Sequence, residues 1–544
     1  MQLGEKLIKV AGQLPAVSGI GPVYLVGGSL RDLILDRPFN DYDFAVHGNA
    51  RAFARKVATK LGVHAIEMGK DDKTVYRIIS GGKVLDFSPM HGKSIDEDLK
   101  RRDFTVNSLG FVLSSESPPG RGPLRSGGLI DPVGGLKDIR SKTIRLISED
   151  AILVDPLRMV RAFRLAAVLG FEIAPQTLSV IKEHSALVAR SARERIRAEL
   201  FKTMEAKKSF PYIEQMCEAG ILMKLFPELE LCRNCLLNDH GYDVLRHVMR
   251  TYKEIEIVLG NYATLWPEYA EPIRSYLEHK DRKVLLKWAA LLHDVGKPAT
   301  RSLDPTGRLR FLGHETKGAH IVRALCLRLR MSVRERSFIE SVVQNHLHPL
   351  LLFDARQRGA LTARGIIRFV TRHKDDIVGL LLHSVADQRA KAYLSIPACN
   401  ACQPRSHWQE GGPIYGKPAF QPGHNLSSET VGHESDEEFK KAFVEFLKEI
   451  LQRYFSDLKP TMTASRLITG KDLIEHFGLT PSELFGKLLQ SVEEARLSQE
   501  IRTREEAFEL VAKLLYSQKR MHRPKNAARG GRRPYKPDVA EVSD

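Results

Sequence analysis

The sequence has few of the features that mark secreted or membrane proteins. No apolar run in its 544 residues reaches the ~18–20 residues that a membrane span needs. The first residues, MQLGEKLIKVAGQL, contain neither a basic segment before an apolar core nor a small-residue cleavage site. The sequence therefore predicts a cytoplasmic protein without a membrane segment.

Cysteine is scarce as well. Six cysteines in so long a chain do not make a disulfide framework. Two CxxC pairs, Cys232/Cys235 and Cys399/Cys402, could supply four thiolates to one zinc ion. The pairs lie much farther apart in the chain than the two halves of a usual zinc site, so buried or incidental thiols are the favoured interpretation.

Positive charge is in excess. Lys and Arg number 83 against 66 Asp and Glu, which gives a net charge of +17 and a pI of about 9.5. This balance indicates a polyanionic partner, with nucleic acid as the leading candidate. The length predicts three or four domains, and 43% hydrophobic residues are enough to form their cores. A single small binding module and global disorder are both excluded.

The first part of the chain differs in pattern from the rest. Residues 1–145 alternate short β-rich runs with helical stretches, which predicts an α/β or α+β domain. From about residue 150 apolar residues recur at helical spacing. Helical domains are therefore predicted over 146–230 and 231–396.

The last part of the chain contains a linker, a helical region and a tail by composition. Residues 397–436 are rich in Pro, Gly, Ser and His and predict a linker, and 437–517 again have helical periodicity. Residues 518–544 predict a disordered tail, with eight Lys or Arg and no acid between Lys519 and Lys536. Such a tail either binds phosphates without sequence preference or keeps the chain soluble.

The segment VYLVGGSLRD at 23–32 has the pattern of a phosphate-binding turn. A strand is predicted to end at Val26, and Gly27 and Gly28 leave room for a ligand beside the backbone. Ser29 begins a predicted helix whose free N–H groups would face an anion.

Two aspartates follow on the next predicted strand. Asp41 and Asp43 are separated by one residue, so both carboxylates point from one face, about 6.5 Å apart along the strand. Such a pair can hold divalent cations, and oxygen ligands suit Mg²⁺. In a two-metal site one ion activates the attacking hydroxyl and the other stabilises the leaving pyrophosphate. Asp86, in the predicted strand KVLDFS at 83–88, is a candidate third catalytic carboxylate.

With these motifs the chain resembles the class II tRNA nucleotidyltransferase and bacterial poly(A) polymerase family of the DNA polymerase beta-like superfamily. The resemblance covers about residues 20–515. It implies a nucleotidyltransferase head with a small mixed sheet and helices over 1–145, a hinge at 131–145, and then all-helical neck, HD and C-terminal domains. It assigns Asp41 and Asp43 to the metals. It assigns the triphosphate and ribose of the nucleotide to Gly27, Gly28 and Arg31 and, in RRDFTVNSL at 101–109, to Arg102, Asp103 and Asn107.

The segment VDPLRMVRAFRLAAVLGFEI at 154–173 predicts a helix with a basic side. Arg158, Arg161 and Arg164 recur every three residues and line one side of it, where they contact the nucleotide or form a solvated basic face. By the resemblance, Asp155 and Arg158 bond the incoming base and so select C or A without a template. Val154 departs from the family, in which many members have an acid at that position. The neck motif at 192–202 adds Arg193, Arg195 and Arg197 for the nucleotide pocket or the RNA backbone.

Several of the nineteen histidines resemble the ligands of an HD phosphohydrolase domain. His293 and Asp294 are adjacent in LLHDVGKP, and mixed nitrogen and oxygen ligands suit a divalent metal. The resemblance assigns the core ligands to His247, His293, Asp294 and Asp387, with His314 and His346 as additions that enlarge the site. A metal there could make hydroxide for attack on a phosphoester, or the domain could serve only as a scaffold.

Together these motifs predict a template-independent nucleotidyltransferase that uses ATP, CTP or both to extend a tRNA 3′ end. Residues 467–497 resemble the C-terminal RNA-binding segment of the same family. Poly(A) polymerase is the nearest alternative, although no GRRF-like stretch follows the two aspartates. An HD-type phosphohydrolase is an alternative from another class of enzyme. The sequence leaves the oligomeric state open.

Overall fold

The computed structural model describes residues 22–69, 74–113, 128–237, 242–279, 281–391, 431–460, 465–498 and 500–521. These residues form two compact units. The first lies within Met1–Leu347 and Gly379–Glu429, and the second within His348–Val378 and Thr430–Asp544.

A seven-stranded mixed sheet forms the core of the first unit's N-terminal part. Its strands are β1 Val23–Val26, β2 Asp41–Val46, β3 Ala65–Met68, β4 Val75–Ser80, β5 Lys83–Pro89, β6 Gly110–Leu113 and β7 Leu129–Ile130. Their order in space is β3-β4-β5-β2-β1-β6-β7. The β2–β5 pair is parallel, and the other pairs are antiparallel. The predicted α+β head with a mixed sheet is confirmed.

Side chains alternate between the two faces of each strand, so one face of the sheet packs into the core and the other carries the acidic residues. On β2, Tyr42 and Phe44 are buried beneath the sheet, whereas Asp41 and Asp43 point from the other side. The Phe44 ring stacks on Phe87 of β5 with centroids 4.8 Å apart. The buried aromatic layer therefore holds the two central strands in register and leaves their aspartates free to form a site.

Short helices cover the sheet and connect it to the next segment. They are α1 Gly27–Ile34, α2 Ala50–Leu61, α3 Ile95–Lys100 and α4 Gly135–Arg140, with a 3₁₀ turn at Thr105–Asn107. Helix α2 begins where the Asn49 side chain accepts a bond from the Ala52 N–H, and it ends at Gly62 with φ +66°. Local capping thus fixes the helix at both ends.

The other described residues of the first unit are mainly helical, as predicted, with four two-residue strands among them. Its helices are α5 Asp150–Val154, α6 Leu157–Leu169, α7 Pro175–Glu183, α8 Arg193–Glu205, α9 Phe210–Glu218, α10 Ile221–Leu225, α11 Pro227–Glu230, α12 Val244–Leu265, α13 Ala270–Glu278, α14 Arg282–Leu292, α15 Lys297–Thr300, α16 His314–Arg328 and α17 Val333–Asn345, and most of α20 Ile377–Lys391. The short strands are β8 Thr143–Ile144, β9 Glu172–Ile173, β10 Ser302–Leu303 and β11 Leu309–Arg310.

A buried ion pair joins the neck helices to the HD helices. Lys287 of α14 reaches Glu256 of α12 at 2.6 Å and donates to the carbonyls of Met204 and Ala206 at 2.8 Å each. The same Glu256 accepts bonds from Ser209 at the start of α9. One charged pair therefore provides hydrogen-bond partners for the backbone carbonyls at the end of α8 and for the backbone N–H at the beginning of α9.

The second unit is also helical and has its own core. Its helices are α18 His348–Gln357, α19 Ala363–His373, α21 Val431–Gln452, α22 Gly470–Phe477, α23 Glu483–Leu497 and α24 Arg504–Met521, and a π-helical turn spans Arg453–Leu458. Leu473, Leu488, Val492 and Val511 are among its buried core residues.

Three predicted boundaries differ from the structure. Helix α21 begins at Val431, inside the predicted linker 397–436, because the helix that buries Phe443 and Phe446 extends toward its N-terminus. Helix α24 continues to Met521, so the predicted tail 518–544 begins inside a helix. Residues 348–378, placed in the HD domain by prediction, pack within the second unit.

Other predictions fall on residues outside the described part. They concern Cys399/Cys402, most of the linker 397–436 and the tail beyond Met521. Among the described helices, none combines the length and apolar character that a membrane crossing requires.

Candidate functional site

The predicted carboxylates lie on one face of the central strands. Asp43 of β2 pairs in register with Asp86 of the parallel neighbour β5, and Asp41 lies two residues before Asp43 on the same face. Burial raises the pKa of Asp43, and Asp86 and Asp41 add to this rise, while Arg102 opposes it. Crowded carboxylates of this kind favour a bound cation. The donor set therefore fits a divalent metal with oxygen ligands.

The glycine turn lies directly beside Asp43. Gly27 has φ +74°, and a Cβ at this position would lie 3.0 Å from Asp43 Oδ2 and 3.2 Å from Arg102 Nη1. Ser29 donates to the Val26 carbonyl at 2.8 Å and accepts the Asp43 N–H at 3.2 Å. The start of α1 is thus tied to the carboxylate strand, and glycine leaves the space between them open.

A cavity of about 340 Å³ opens at this place between the head and the first neck helices. Nine of the predicted site residues line it: Gly27, Gly28, Asp43, Asp86, Arg102, Asp103, Asn107, Arg158 and Arg161. The sequence spreads these residues over five elements and their connections, and the fold brings them together at one cavity.

The remaining predicted residues lie around the cavity rather than in its lining. Arg31 donates to Asn107 Oδ1 at 2.5 Å and pairs with Asp32 at 2.8 Å. Asp41 is exposed at the start of β2. Asp155 and Arg164 also stay outside the lining and bond to side chains of α8.

Arg161 lies at the centre of a charged network in the cavity wall. It donates to Asp103 at 2.9 Å and to Glu199 of α8 at 3.1 Å, and Arg164 donates to the other Glu199 oxygen at 2.9 Å. Burial alone would raise the pKa of Asp103, but Arg161 and the Asn107 amide outweigh it and hold the pKa below the usual value. The network keeps Arg161 oriented and Asp103 ionised.

The two predicted base-selecting residues, Asp155 and Arg158, share a backbone hydrogen bond of 3.0 Å, but their side chains bind other partners. Asp155 binds Arg195 of α8, with Nη2 and Oδ2 2.8 Å apart. Burial would raise the pKa of Asp155, but Arg195 outweighs it and lowers the pKa. Arg158 donates from Nη1 to the Ala151 carbonyl at 3.3 Å, and its buried Nε has no partner among the described residues. Arg158 lines the cavity, while Val154 is 71% exposed.

The other two arginines of the predicted neck motif have different surroundings. Arg197 pairs with Glu335 and lies over the Phe201 ring, with its guanidinium carbon 4.6 Å from the centroid. Arg193 is the first residue of α8 and is half-buried. Neither lines the cavity, so their predicted role in RNA contact stays a prediction.

A second cluster forms from the predicted HD residues. His247 Nε2 lies 3.0 Å from Asp387 Oδ1 and 3.2 Å from His293 Nε2. Asp294 turns Oδ2 toward His293 at 3.2 Å and Oδ1 toward His314 at 3.2 Å. His346 Nε2 lies 3.7 Å from the same Oδ1, so all six predicted ligands meet in one buried place.

Backbone carbonyls orient the imidazoles of this cluster. The Nδ1 atoms of His293, His314 and His346 lie 2.7–3.0 Å from the carbonyls of Ala290, Phe311 and Val343, each three residues earlier. A carbonyl can only accept, so each Nδ1 carries a proton, and Nε2 is the ring atom that faces the carboxylates. Nε2 is therefore the atom through which each ring would bind a metal.

The negative charges of the two aspartates in this cluster are balanced by neighbouring cationic side chains. Burial would raise the pKa of Asp294, but His293 and Lys297 lower it well below its usual value. Asp294 and Asp387 outweigh burial and raise the pKa of His293 to about 9. Buried carboxylates that demand this much positive charge, together with converging Nε2 atoms, fit a divalent metal.

The structure adds residues that sequence reasoning missed. Arg77 of β4, Glu199 of α8, Lys297 of α15 and His383 of α20 each contact a predicted residue. Of these, His383 had a signal in the sequence, because it lies one helical turn before Asp387 on the same face. Burial, with His293 nearby, lowers the pKa of His383 to about 3, and both of its ring nitrogens lack a hydrogen-bond partner among the described residues.

The described CxxC pair lies in a turn before α12. Cys232 and Cys235 are buried, and burial raises the pKa of both thiols. Neither belongs to a described group of three metal-ligand atoms within 4.8 Å of one another. The zinc hypothesis stays a prediction, because the other pair is outside the described residues.

Three parts of the chain match known protein families. Residues 23–145 match "Poly A polymerase head domain", residues 170–232 match "Probable RNA and SrmB- binding site of polymerase A", and residues 244–369 match "HD domain". Nucleotidyltransferase and HD domains generally use divalent metals, in agreement with both donor sets.

Curated proteins match over most of the chain. A protein named "Multifunctional CCA protein" from Actinobacillus pleuropneumoniae is 30% identical over 387 residues, which are 68% of this chain and 85% of that protein. One named "A-adding tRNA nucleotidyltransferase" from Deinococcus radiodurans is 28% identical over 492 residues, 89% of this chain and 93% of that protein.

Solved structures share the fold. A Thermotoga maritima CCA-adding enzyme complexed with tRNA has a TM-score of 0.52 at 19% identity, and a CCA-adding enzyme complexed with ATP has 0.54 at 20%. Each comparison covers 94% of both chains.

Proposed function

Because the chain belongs to the family of tRNA nucleotidyltransferases and bacterial poly(A) polymerases, we propose that it adds CMP, AMP or both to the 3′ end of tRNA. The RNA 3′-hydroxyl attacks the α-phosphate of the nucleoside triphosphate, the bond to the β-phosphate oxygen breaks, and pyrophosphate leaves. No template strand is used.

The cavity at the carboxylate face carries this proposal. It joins acidic groups for a metal, Asp43 and Asp86, to cationic groups for a triphosphate, Arg102, Arg158 and Arg161. Separated charges of both signs around one cavity suit a metal–nucleotide complex better than either charge alone would. The names of the relatives, which include A-adding, CC-adding and CCA proteins, support tRNA as the acceptor.

The residues of the chain then have distinct roles. Asp41 and Asp43 would hold Mg²⁺, and an ion bound there would supply positive charge to polarise the phosphate and lower the pKa of the attacking hydroxyl. Gly27 lets the triphosphate approach the backbone beside Asp43. Arg102 pairs with Asp98 at 3.1 Å and lies against the cavity, where it can bind phosphate oxygens.

The neck residues read the nucleotide. Arg158 lines the cavity, and its planar guanidinium suits the edge of a base. Asp155 is held by Arg195, so its acceptor direction is set by α8 rather than by Arg158. Asp103 and Asn107 line the same cavity, where they can bind the ribose hydroxyls.

The test uses three tRNA transcripts that end before CCA, after C and after CC. Purified protein receives CTP, ATP or both, and the 3′ ends are sequenced. Extension of these ends by the missing nucleotides supports the proposal, and extension of the CC end alone by one A defines an A-adding enzyme. Long A tracts on unrelated RNA would instead make the protein a poly(A) polymerase.

Matched variants identify the site responsible. Asp43→Ala should abolish incorporation while RNA binding persists, because the carboxylate serves the metal and not the RNA backbone. Asp96→Asn removes an exposed carboxylate at the start of α3 and should leave the rate unchanged. Wild-type incorporation by Asp43→Ala would refute the assignment.

A second activity is favoured by the buried HD cluster. The convergent Nε2 atoms and the low pKa of Asp294 and Asp387 suit a metal that hydrolyses a phosphoester. We propose metal-dependent phosphoester hydrolysis, which releases phosphate from nucleotides or opens RNA 2′,3′-cyclic phosphate ends to the monoester. This hydrolysis should survive Asp41→Ala and disappear in Asp294→Asn. A domain that serves only as a scaffold would hydrolyse neither substrate, in the wild type or in either variant.

A further inference from the structure

One arginine lies in the same row as the catalytic carboxylates. Arg77 of β4 is opposite Asp86 of β5, and Asp86 is opposite Asp43 of β2, so the three residues follow one another across adjacent strands. Strands are about 4.8 Å apart, and residues paired in this way project from the same face. Arg77 is therefore a neighbour of the metal site by register alone.

Arg77 and Asp86 form two hydrogen bonds, from two guanidinium nitrogens to the two carboxylate oxygens. Arg77 Nε donates to Asp86 Oδ1 at 2.8 Å, and Nη2 donates to Oδ2 at 2.7 Å. This parallel arrangement is the strongest geometry for an arginine and a carboxylate. Both Asp86 oxygens are thus engaged. No described group of three ligand atoms within 4.8 Å of one another includes Asp41, Asp43 or Asp86, so the three carboxylates do not converge on one point in this structure.

The other cations of this face have acidic partners of their own. Arg31 binds Asp32 at 2.8 Å, and Arg102 binds Asp98 at 3.1 Å. Neither Asp32 nor Asp98 lines the cavity. Among the described ion pairs, Arg77 alone takes one of the three predicted catalytic carboxylates as its partner.

We propose that Arg77 is an exchangeable counter-ion that keeps Asp86 out of the metal site until RNA binds. The proposal rests on the nucleotidyltransferase function of the same site. The Arg77 side chain is 36% exposed, so a phosphate of the entering RNA end can reach it and compete with Asp86. When Arg77 turns to the phosphate, Asp86 becomes a third ligand beside Asp43. Binding of the RNA acceptor thereby completes the metal site at which the RNA is extended.

The first test measures metal binding without turnover. The electron paramagnetic resonance signal of free Mn²⁺ is followed on the full-length, nucleotide-free protein. Mn²⁺ binding at the carboxylate face, called head-site binding, is taken as the difference between each protein and the same protein with the added change Asp43→Asn. This difference removes the Mn²⁺ that is bound by the HD cluster. Arg77→Met should tighten head-site binding about tenfold, because a positive charge beside a ligand is removed. The matched control Arg55→Met, at an exposed arginine of α2, should have no effect.

Two further variants decide between a counter-ion and an orienting group. Arg77→Met combined with Asp86→Asn should lose the gain, because the released ligand is no longer there. Arg77→Lys keeps the charge but loses the parallel pair of bonds, and it should tighten Mn²⁺ binding by a smaller factor than Arg77→Met. If Arg77→Met does not fold, Arg77→Lys still tests the proposal. Mn²⁺ affinity that is unchanged or weaker in both Arg77 variants would overturn the proposal.

The second test adds RNA. A tRNA transcript without CCA and with a 3′-deoxy end is supplied without nucleotides, and RNA-bound Mn²⁺ is subtracted with the Asp43→Asn protein. RNA should tighten head-site Mn²⁺ binding in the wild type but not in Arg77→Met. Equal tightening in both proteins would refute the release of Asp86 by RNA. The first test uses no RNA and no turnover, so its result is independent of whether tRNA is the acceptor.

Discussion

The substitution Gly27→Ala tests the glycine turn at the carboxylate face. The new methyl group would lie 3.0 Å from Asp43 Oδ2 and 3.2 Å from Arg102 Nη1, so one or both must move by several tenths of an ångström. Because a 1 Å misplacement of a reacting group costs about 10²-fold, the expected loss in kcat/KM is on the order of tenfold. The backbone at φ +74° adds a strain of about 1–2 kcal/mol in an L-residue.

A second glycine separates the strain from the contact. Gly62 ends α2 with φ +66°, and a Cβ there meets nothing within 4 Å. Gly62→Ala should therefore lower the free energy of unfolding by the same ~1–2 kcal/mol and leave kcat/KM unchanged.

The assay compares both variants by steady-state nucleotide incorporation and by thermal unfolding. We expect similar losses of stability and very different losses of activity. If Gly27→Ala retained kcat/KM within about twofold of Gly62→Ala, the close approach of the turn to Asp43 would not be what the reaction requires.

Three further predictions concern charged groups. Glu199→Gln should raise the KM for nucleotide by about tenfold without loss of fold, because Arg161 loses a charged partner, and steady-state kinetics at varied nucleotide concentration measures this. Lys287→Met should lower the free energy of unfolding in urea by about 3–5 kcal/mol, because Glu256 is left buried and unpaired, and the added change Glu256→Leu should recover part of it. Asp103 has a lowered pKa in the folded state, so its pair with Arg161 stabilises the protein above about pH 4 and is lost as the pH falls through that lowered pKa. Thermal unfolding at decreasing pH should show a shallower acid limb in Asp103→Asn than in the wild type.

Much of the head could be predicted from the sequence because its signals are local. The run DYDFAV alternates apolar and acidic residues, which defines a strand with a buried side and a carboxylate side, and the structure forms β2 over the same six residues. The glycine pair after VYLV predicted the end of a strand at Val26. Both features depend only on residues a few positions apart.

The partners of the predicted residues could not be derived in this way. Asp155 and Arg158 are close in sequence, and the resemblance gave them one task, yet Asp155 binds Arg195 of another helix. The spacing on one helix fixes which residues share a face, but it does not fix which helix packs against that face. The same limit hid Glu199, which holds Arg161 from α8.

The HD cluster shows both kinds of information. The adjacent His293 and Asp294 and the separate histidines were enough to predict a metal-binding set from the sequence. The position of His383 beside His293, with ring centroids 5.1 Å apart, follows from the packing of α20 against the helix that ends at His293. Only that packing buries its two ring nitrogens without a hydrogen-bond partner among the described residues.

The sequence alone determined the chemistry present in this protein: paired carboxylates on a strand, glycines before a helix, arginines at helical spacing and an HD pair. These features follow from periods of two and 3.6 residues, which act within one element. The tertiary structure alone decided which charges meet. Strand register placed Arg77 against Asp86, and helix packing placed Arg195 against Asp155, because contacts between elements depend on the whole core beneath them.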